Sequence, residues 1–139
     1  MKSGLQTLIK LQKTQVDEQR THLAKLDQQL QAVDIKIALL EAEKQAQESL
    51  LHENPDMGLT YAGYLAQYLK KRAVYARERH IMVKAIEMAR DKLAELFEEQ
   101  KRYEIAEEQR LLKERQKEAA EERKILDEVG SVGFIRKQG

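Results

Sequence analysis

His52-Glu53-Asn54-Pro55-Asp56-Met57-Gly58 is where the helical pattern of this chain breaks, and it holds the single proline. Asn, Pro, Asp and Gly cluster there, each a turn former for its own stereochemical reason. On both sides of the break apolar residues recur at alternating three- and four-residue steps, the signature of one helix face. Helix, short turn and helix make an αα-hairpin. The spacing predicts a helix over 3–53, a turn over 54–58, a second helix over 59–129 and a flexible tail over 130–139. Two helices folded on each other enclose no substrate cavity, so such a chain acts through its surface and its ends.

Outward from the turn, the first helix carries a stripe of Leu5, Leu8, Gln12, Val16, Gln19, Leu23, Leu26, Leu30, Val33, Ile37, Leu40, Lys44, Gln47 and Leu51. From Val16 onward the steps alternate strictly between three and four, as knobs-into-holes packing requires. Between Leu8 and Val16 two four-residue steps follow one another, the mark of a stutter, and local unwinding is expected there. The polar members, Gln12, Gln19, Lys44 and Gln47, are expected to set register more than stability. Ser3 is placed to cap the helix.

The second helix offers Tyr61, Leu65, Tyr68, Arg72, Tyr75, Arg79, Met82, Ile86, Ala89, Leu93, Leu96, Gln100 and Tyr103 on the same spacing. Its apolar signal fades after Leu112. Lys113 to Lys124 is charged, apart from Gln and two alanines, and stays helical through propensity and i,i+4 charge pairs. Ile125, Leu126 and Val129 then form a small apolar cluster. At about 1.5 Å per residue the two helices measure roughly 75 and 105 Å, so the chain beyond about Glu107 overhangs the first helix. The expected fold class is therefore all-α: a two-stranded antiparallel coiled-coil hairpin with unequal helices, the second overhanging.

Composition agrees with this reading. Ala, Glu, Lys, Leu, Gln and Arg dominate, 35% of residues are charged and 5% aromatic, and Trp and Cys are absent. That is coiled-coil usage rather than the composition of a thick globular core. The 25 basic and 24 acidic residues nearly cancel, so no overall field attracts nucleic acid. Zero cysteines excludes disulfide and thiol chemistry. No apolar run approaches the ~18 to 20 residues of a membrane span, and Gln6, Thr7 and Lys10 break up the apolar start too much for a signal peptide. A soluble cytoplasmic protein without membrane insertion is expected.

No catalytic constellation emerges. His22, His52 and His80 lie far apart and lack metal-ligand spacing. The glycines sit near the turn and the ends, so no phosphate loop forms, and carboxylates on a helix surface lack the burial that shifts acid–base pKa values. The chain is read as a non-enzyme with no cofactor and no metal. Lys70, Lys71, Arg72, Arg77, Arg79 and Lys84 are spread around the helix without an aromatic stacking platform, so nucleic acid is not expected. The charge is nevertheless uneven: Lys70–Lys92 holds eight basic and three acidic residues, and Glu98–Glu128 holds eleven acidic and eight basic ones. Off the main stripe, Tyr64 accompanies Leu69, Ala73, Ala76 and His80 at i, i+4, i+7 and i+11. This second face is either a seam broadened near the turn or a surface where a protein docks.

Taken together, these features resemble the FliJ-type proteins of bacterial flagellar type III export. The resemblance spans nearly the whole chain. It rests on the order and spacing of Leu8-Ile9-Lys10-Leu11 and Val16-Asp17-Glu18, the Asp56-Met57-Gly58 turn, Leu93-Ala94-Glu95-Leu96-Phe97-Glu98-Glu99-Gln100-Lys101-Arg102-Tyr103-Glu104, and Ile125-Leu126-Asp127-Glu128. It implies a monomer that inserts the end bearing both termini into the hexameric export ATPase and activates it. It also implies contact with a membrane export gate protein and with export chaperones, and a cytoplasmic location peripheral to the inner membrane. Carried onto this chain, ATPase binding falls on Leu5, Leu8, Ile9, Arg110, Leu111, Leu112, Lys113, Arg115 and Lys117, with the overhang to Val129. Gate binding falls on Leu40, Tyr64, Leu69, Ala73, Ala76 and His80. Glu43 and Gln47 stand where family tyrosines occur on the first helix, a departure in the expected gate face. The rival reading is a structural coiled-coil spacer, or a four-helix-bundle dimer of two hairpins, with no ATPase partner.

Overall fold

The computed structural model describes residues 4–138, with side chains described for 4–133. Helix α1 spans Gly4–Glu53 (50 residues), a 3₁₀ turn spans Pro55–Met57, and helix α2 spans Gly58–Gln138 (81 residues). The fold is an all-α hairpin of two unequal helices. Ser3, the expected cap, and Gly139 lie outside the described residues. The chain is helical through Gly130 and Gly133 as far as Gln138, where a tail was expected from residue 130. Neither glycine takes a positive φ. A helical glycine costs about 1 kcal/mol relative to alanine, which weakens a helix without ending it.

The turn is built around Asn54. Its N–H donates to the Leu50 carbonyl at 2.9 Å and its Nδ2 donates to the same oxygen at 3.3 Å, closing α1. Its own backbone leaves the helix (φ −130°, ψ 80°), as the clash with a following proline ring favours. Pro55 opens the 3₁₀ turn, where a missing N–H leaves nothing unpaired. The Met57 N–H then donates to the Asn54 carbonyl at 3.0 Å. Gly58 is helical (φ −58°, ψ −36°) and begins α2 one residue earlier than expected.

The chain forms two compact units: Gln15–Glu95, which contains the turn, and Met1–Thr14 with Leu96–Gly139. In the turn-bearing unit the core is the expected seam. Val16, Leu26, Val33 and Leu40 are buried from α1, and Tyr68, Ile86 and Ala89 from α2. Leu26, Ile86 and Ala89 form its centre, with Leu23, Leu30, Met82 and Ala85 packed around them. The core is thin, because a two-helix seam covers each side chain from one side only. Arg79, expected in the seam, is exposed, while its neighbour Glu78 is half-buried. The Arg79 stem instead carries its guanidinium out to Asp34 at 2.8 Å, which keeps the charge hydrated.

In the terminal unit Gln12 and Leu96 are buried. Leu8 is 43% exposed, whereas Leu5 and Ile9 are half-buried. The stripe therefore runs Leu5, Ile9, Gln12, Val16, an unbroken four-three-four pattern, and the expected stutter does not occur. On α2 the three-four spacing also continues past Tyr103 to Glu107 and Arg110. Glu107 is 9% exposed and accepts a hydrogen bond from Gln6 Nε2 at 3.3 Å. The unpartnered part of α2 thus begins after Arg110 rather than at Glu107. From Leu111 to Gly133 every side chain is exposed except the half-buried Ala119.

Candidate protein-docking surfaces

The terminal unit carries the residues expected to meet an ATPase. Leu111 and Leu112 are 36% and 53% exposed, and Lys113, Arg115 and Lys117 are exposed beside them. Arg110 differs. Its guanidinium donates to both Glu107 oxygens, at 2.8 and 3.1 Å, and to Glu114 at 3.2 Å. The Glu107 hydrogen bond holds the guanidinium pKa above its ordinary value, so its charge is already committed within α2. Further along, Ile125, Leu126, Val129 and Val132 are all at least half exposed. Val132 extends the apolar cluster seen in the sequence by one helical turn.

The turn-bearing unit carries the expected gate-binding residues, and the structure divides them. Leu40 is 5% exposed, so its side chain belongs to the core and presents no surface. Leu69 is 58% exposed, and Ala73, Ala76 and His80 are exposed. Ala76 and His80 line a shallow furrow together with Arg72, Arg79 and Val83. Tyr64 is half-buried, with its ring 6.3 Å from that of Tyr61 at an interplanar angle of 33°. Its hydroxyl is enclosed and has no hydrogen-bond partner among the described residues. Burial, and secondarily the charge of Glu43, push its phenol pKa up.

A row of α1 carboxylates, which sequence reasoning overlooked, pairs across to α2, and two of its members hold the arginines of this furrow. Asp34, Glu41 and Glu48 recur every seven residues and so share one helix flank. Arg79 pairs with Asp34 at 2.8 Å and Arg72 with Glu41 at 3.1 Å. The Tyr68 hydroxyl donates to Glu41 at 2.6 Å, and the Tyr61 hydroxyl to Glu48 at 3.1 Å. Lys44, paired with Glu48 at 3.4 Å, lies 5.0 Å from the Tyr68 ring centroid. The seven-residue acidic repeat was the signal that would have revealed this row.

None of the described residues forms a cluster suited to a metal ion, and His22, His52 and His80 are all exposed and separate. No described helix is long and apolar enough to cross a membrane. Two unequal helices with shallow furrows between them and an exposed helix end define an all-α helical-hairpin protein. The chain matches the Flagellar FliJ protein family over residues 1–139. It belongs to that family and is a component of flagellar protein export. Comparison with curated proteins and with solved structures gives no match.

Proposed function

We propose that the terminal unit inserts into the pore of the hexameric export ATPase and activates it, while the turn-bearing unit contacts the export gate protein and substrate chaperones. The observation that carries this reading is the part of α2 from Leu111 to Gly133, whose side chains are exposed apart from the half-buried Ala119. Such a segment gains nothing from the hairpin core, and its exposed Leu111, Leu112, Ile125, Leu126, Val129 and Val132 suit burial by another protein. A single helix entering a ring meets chemically equivalent subunits unequally. It can therefore favour different conformations at different nucleotide sites and couple them to contacts elsewhere. Attachment through gate and ATPase would hold the protein at the inner membrane without insertion.

Lys113, Arg115, Lys117, Arg123 and Lys124 supply the charge that steers this helix toward acidic pore loops. Arg110 drops out of the set because Glu107 and Glu114 neutralise it. Replacing Lys113, Arg115 and Lys117 together by Glu is expected to lower the apparent affinity for the cognate ATPase about tenfold or more at low salt, with helicity unchanged. An unchanged activation curve for this triple variant would refute the steering. On the gate side, contact through Leu69, Ala73, Ala76 and His80 is supported by their exposure, while Leu40 stays in the core.

A further inference from the structure

A second furrow, of about 400 Å³, lies in the turn-bearing unit between the two helices. Buried Val33 and half-buried Met82 floor it, Ala32 and Ile81 form its walls, and Lys36 and Glu78 stand at its rim. It lies on the other flank of the seam from the Ala76–His80 furrow. Ile81 and Val83 precede and follow the seam residue Met82, and successive helical residues turn by about 100°. The two furrows are therefore independent surfaces, and filling one leaves the other open.

Apolar surface continues along this flank. Leu39, seven residues after Ala32, is 66% exposed, and Val74 and Met88, seven residues either side of Ile81, are 48% and 73% exposed. Seven-residue spacing keeps these side chains on one face. From Val74 to Met88 the ridge runs for about 21 Å, or four helical turns. Cations accompany it: among the described residues Lys70, Lys71 and Arg77 have no carboxylate partner within ion-pair reach. Lys36 lies 5.9 Å from the Tyr75 ring centroid, a contact that leaves its charge in place. This is where the basic excess of Lys70–Lys92 falls. The contrast with the other furrow is chemical, since Arg72 and Arg79 there are already paired with Glu41 and Asp34.

We propose that this flank docks an acidic amphipathic helix of a partner protein, its apolar stripe laid along Val74, Ile81 and Met88 and its carboxylates on Lys70, Lys71, Arg77 and Lys36. Helix-in-groove recognition uses a straight apolar ridge of this length, and the unpaired cations select a partner of opposite charge. A second copy docking through the same face would set like charges against each other, because a two-fold contact is self-complementary. A lipid surface is less well matched: the furrow is concave, and its ridge lacks the Trp and Phe of interfacial helices.

The test uses the full chain and a fluorescent four-turn helical peptide with a Leu stripe and Glu flanks. A twin peptide with Lys flanks and vesicles of phosphatidylglycerol serve as comparisons, at about physiological salt. The acidic peptide is expected to bind, and its twin at least about tenfold more weakly. Ile81→Glu is expected to abolish binding and Arg77→Glu with Lys70→Glu to weaken it about tenfold, while Leu69→Glu, on the other flank, leaves it unchanged. Ile81 is 58% exposed, so the variant should retain full helicity by circular dichroism. Equal binding of both peptides, binding that survives Ile81→Glu, binding to vesicles alone, or a dimer in sedimentation that Ile81→Glu disperses would each overturn the proposal.

Discussion

Gln12 and Gln19 each place an amide nitrogen 3.1 Å from an α2 carbonyl, Leu96 and Ala89 respectively. Each carbonyl oxygen has a second lone pair, so neither bond displaces one from the helix ladder. The two glutamines thereby fix register at the expense of apolar burial, the role polar seam residues play in coiled coils. Gln12→Leu is expected to raise the thermal midpoint of the hairpin while broadening its cross-helix register, measured by circular dichroism melting and disulfide trapping between introduced cysteines. Ile86 does the opposite work. It is 5% exposed at the centre of a thin core, and Ile86→Ala should cost about 2–4 kcal/mol in denaturant unfolding. The tyrosines add a pH response. The Tyr68 hydrogen bond to Glu41, with burial, raises its phenol pKa, and burial with the Glu48 bond raises that of Tyr61. The folded state thus holds these protons to higher pH than the unfolded chain does. Their stabilisation is full below the ordinary phenol value of about 10 and disappears as pH rises through the folded values. The melting midpoint of the wild type should fall above about pH 10, and Tyr68→Phe should show a shallower alkaline fall.

At the scale of the helices, the repeating seam was legible because a two-helix core needs one apolar stripe and the three-four rhythm marks it. Leu23, Leu26, Leu30, Val33 and Ile37 all lie where the rhythm placed them. The rhythm failed where adjacent residues were both apolar. Leu8 and Ile9 are equivalent by hydrophobicity, and only the longer phase through Leu5 and Gln12 distinguishes them. It failed again at Glu107, a carboxylate that sits in the seam because Gln6 and Arg110 satisfy it. Glycine was over-read: Gly58 looked like a turn former, yet it is helical, and a methyl group there would meet nothing within 4 Å. Gly63 has the same open surroundings. Gly58→Ala and Gly63→Ala are therefore each expected to stabilise the hairpin by about 0.5–1 kcal/mol, seen as a higher unfolding midpoint at constant m-value.

At the scale of the whole molecule, the unequal helices and the family were both readable from the residues themselves, because helix length follows from where the turn falls. The proposed docking faces were only half legible. Periodicity identifies which side chains leave the seam, and so it found Leu69, Ala73, Ala76 and His80. It does not show which surface charges are already paired, and that distinction separates the satisfied Arg72 and Arg79 from the available Lys70, Lys71 and Arg77. Leu40 illustrates the converse, since resemblance placed it on a binding face and packing placed it in the core. The proposed activity centres on the unpartnered end of α2. The most direct test titrates the cognate export ATPase with the full chain and with a chain ending at Leu112. Stimulated hydrolysis is predicted with the full chain and loss of that stimulation on truncation, while the truncated hairpin keeps its cooperative unfolding. Equal stimulation by both chains, or none by either, would contradict a stalk role for this helix end.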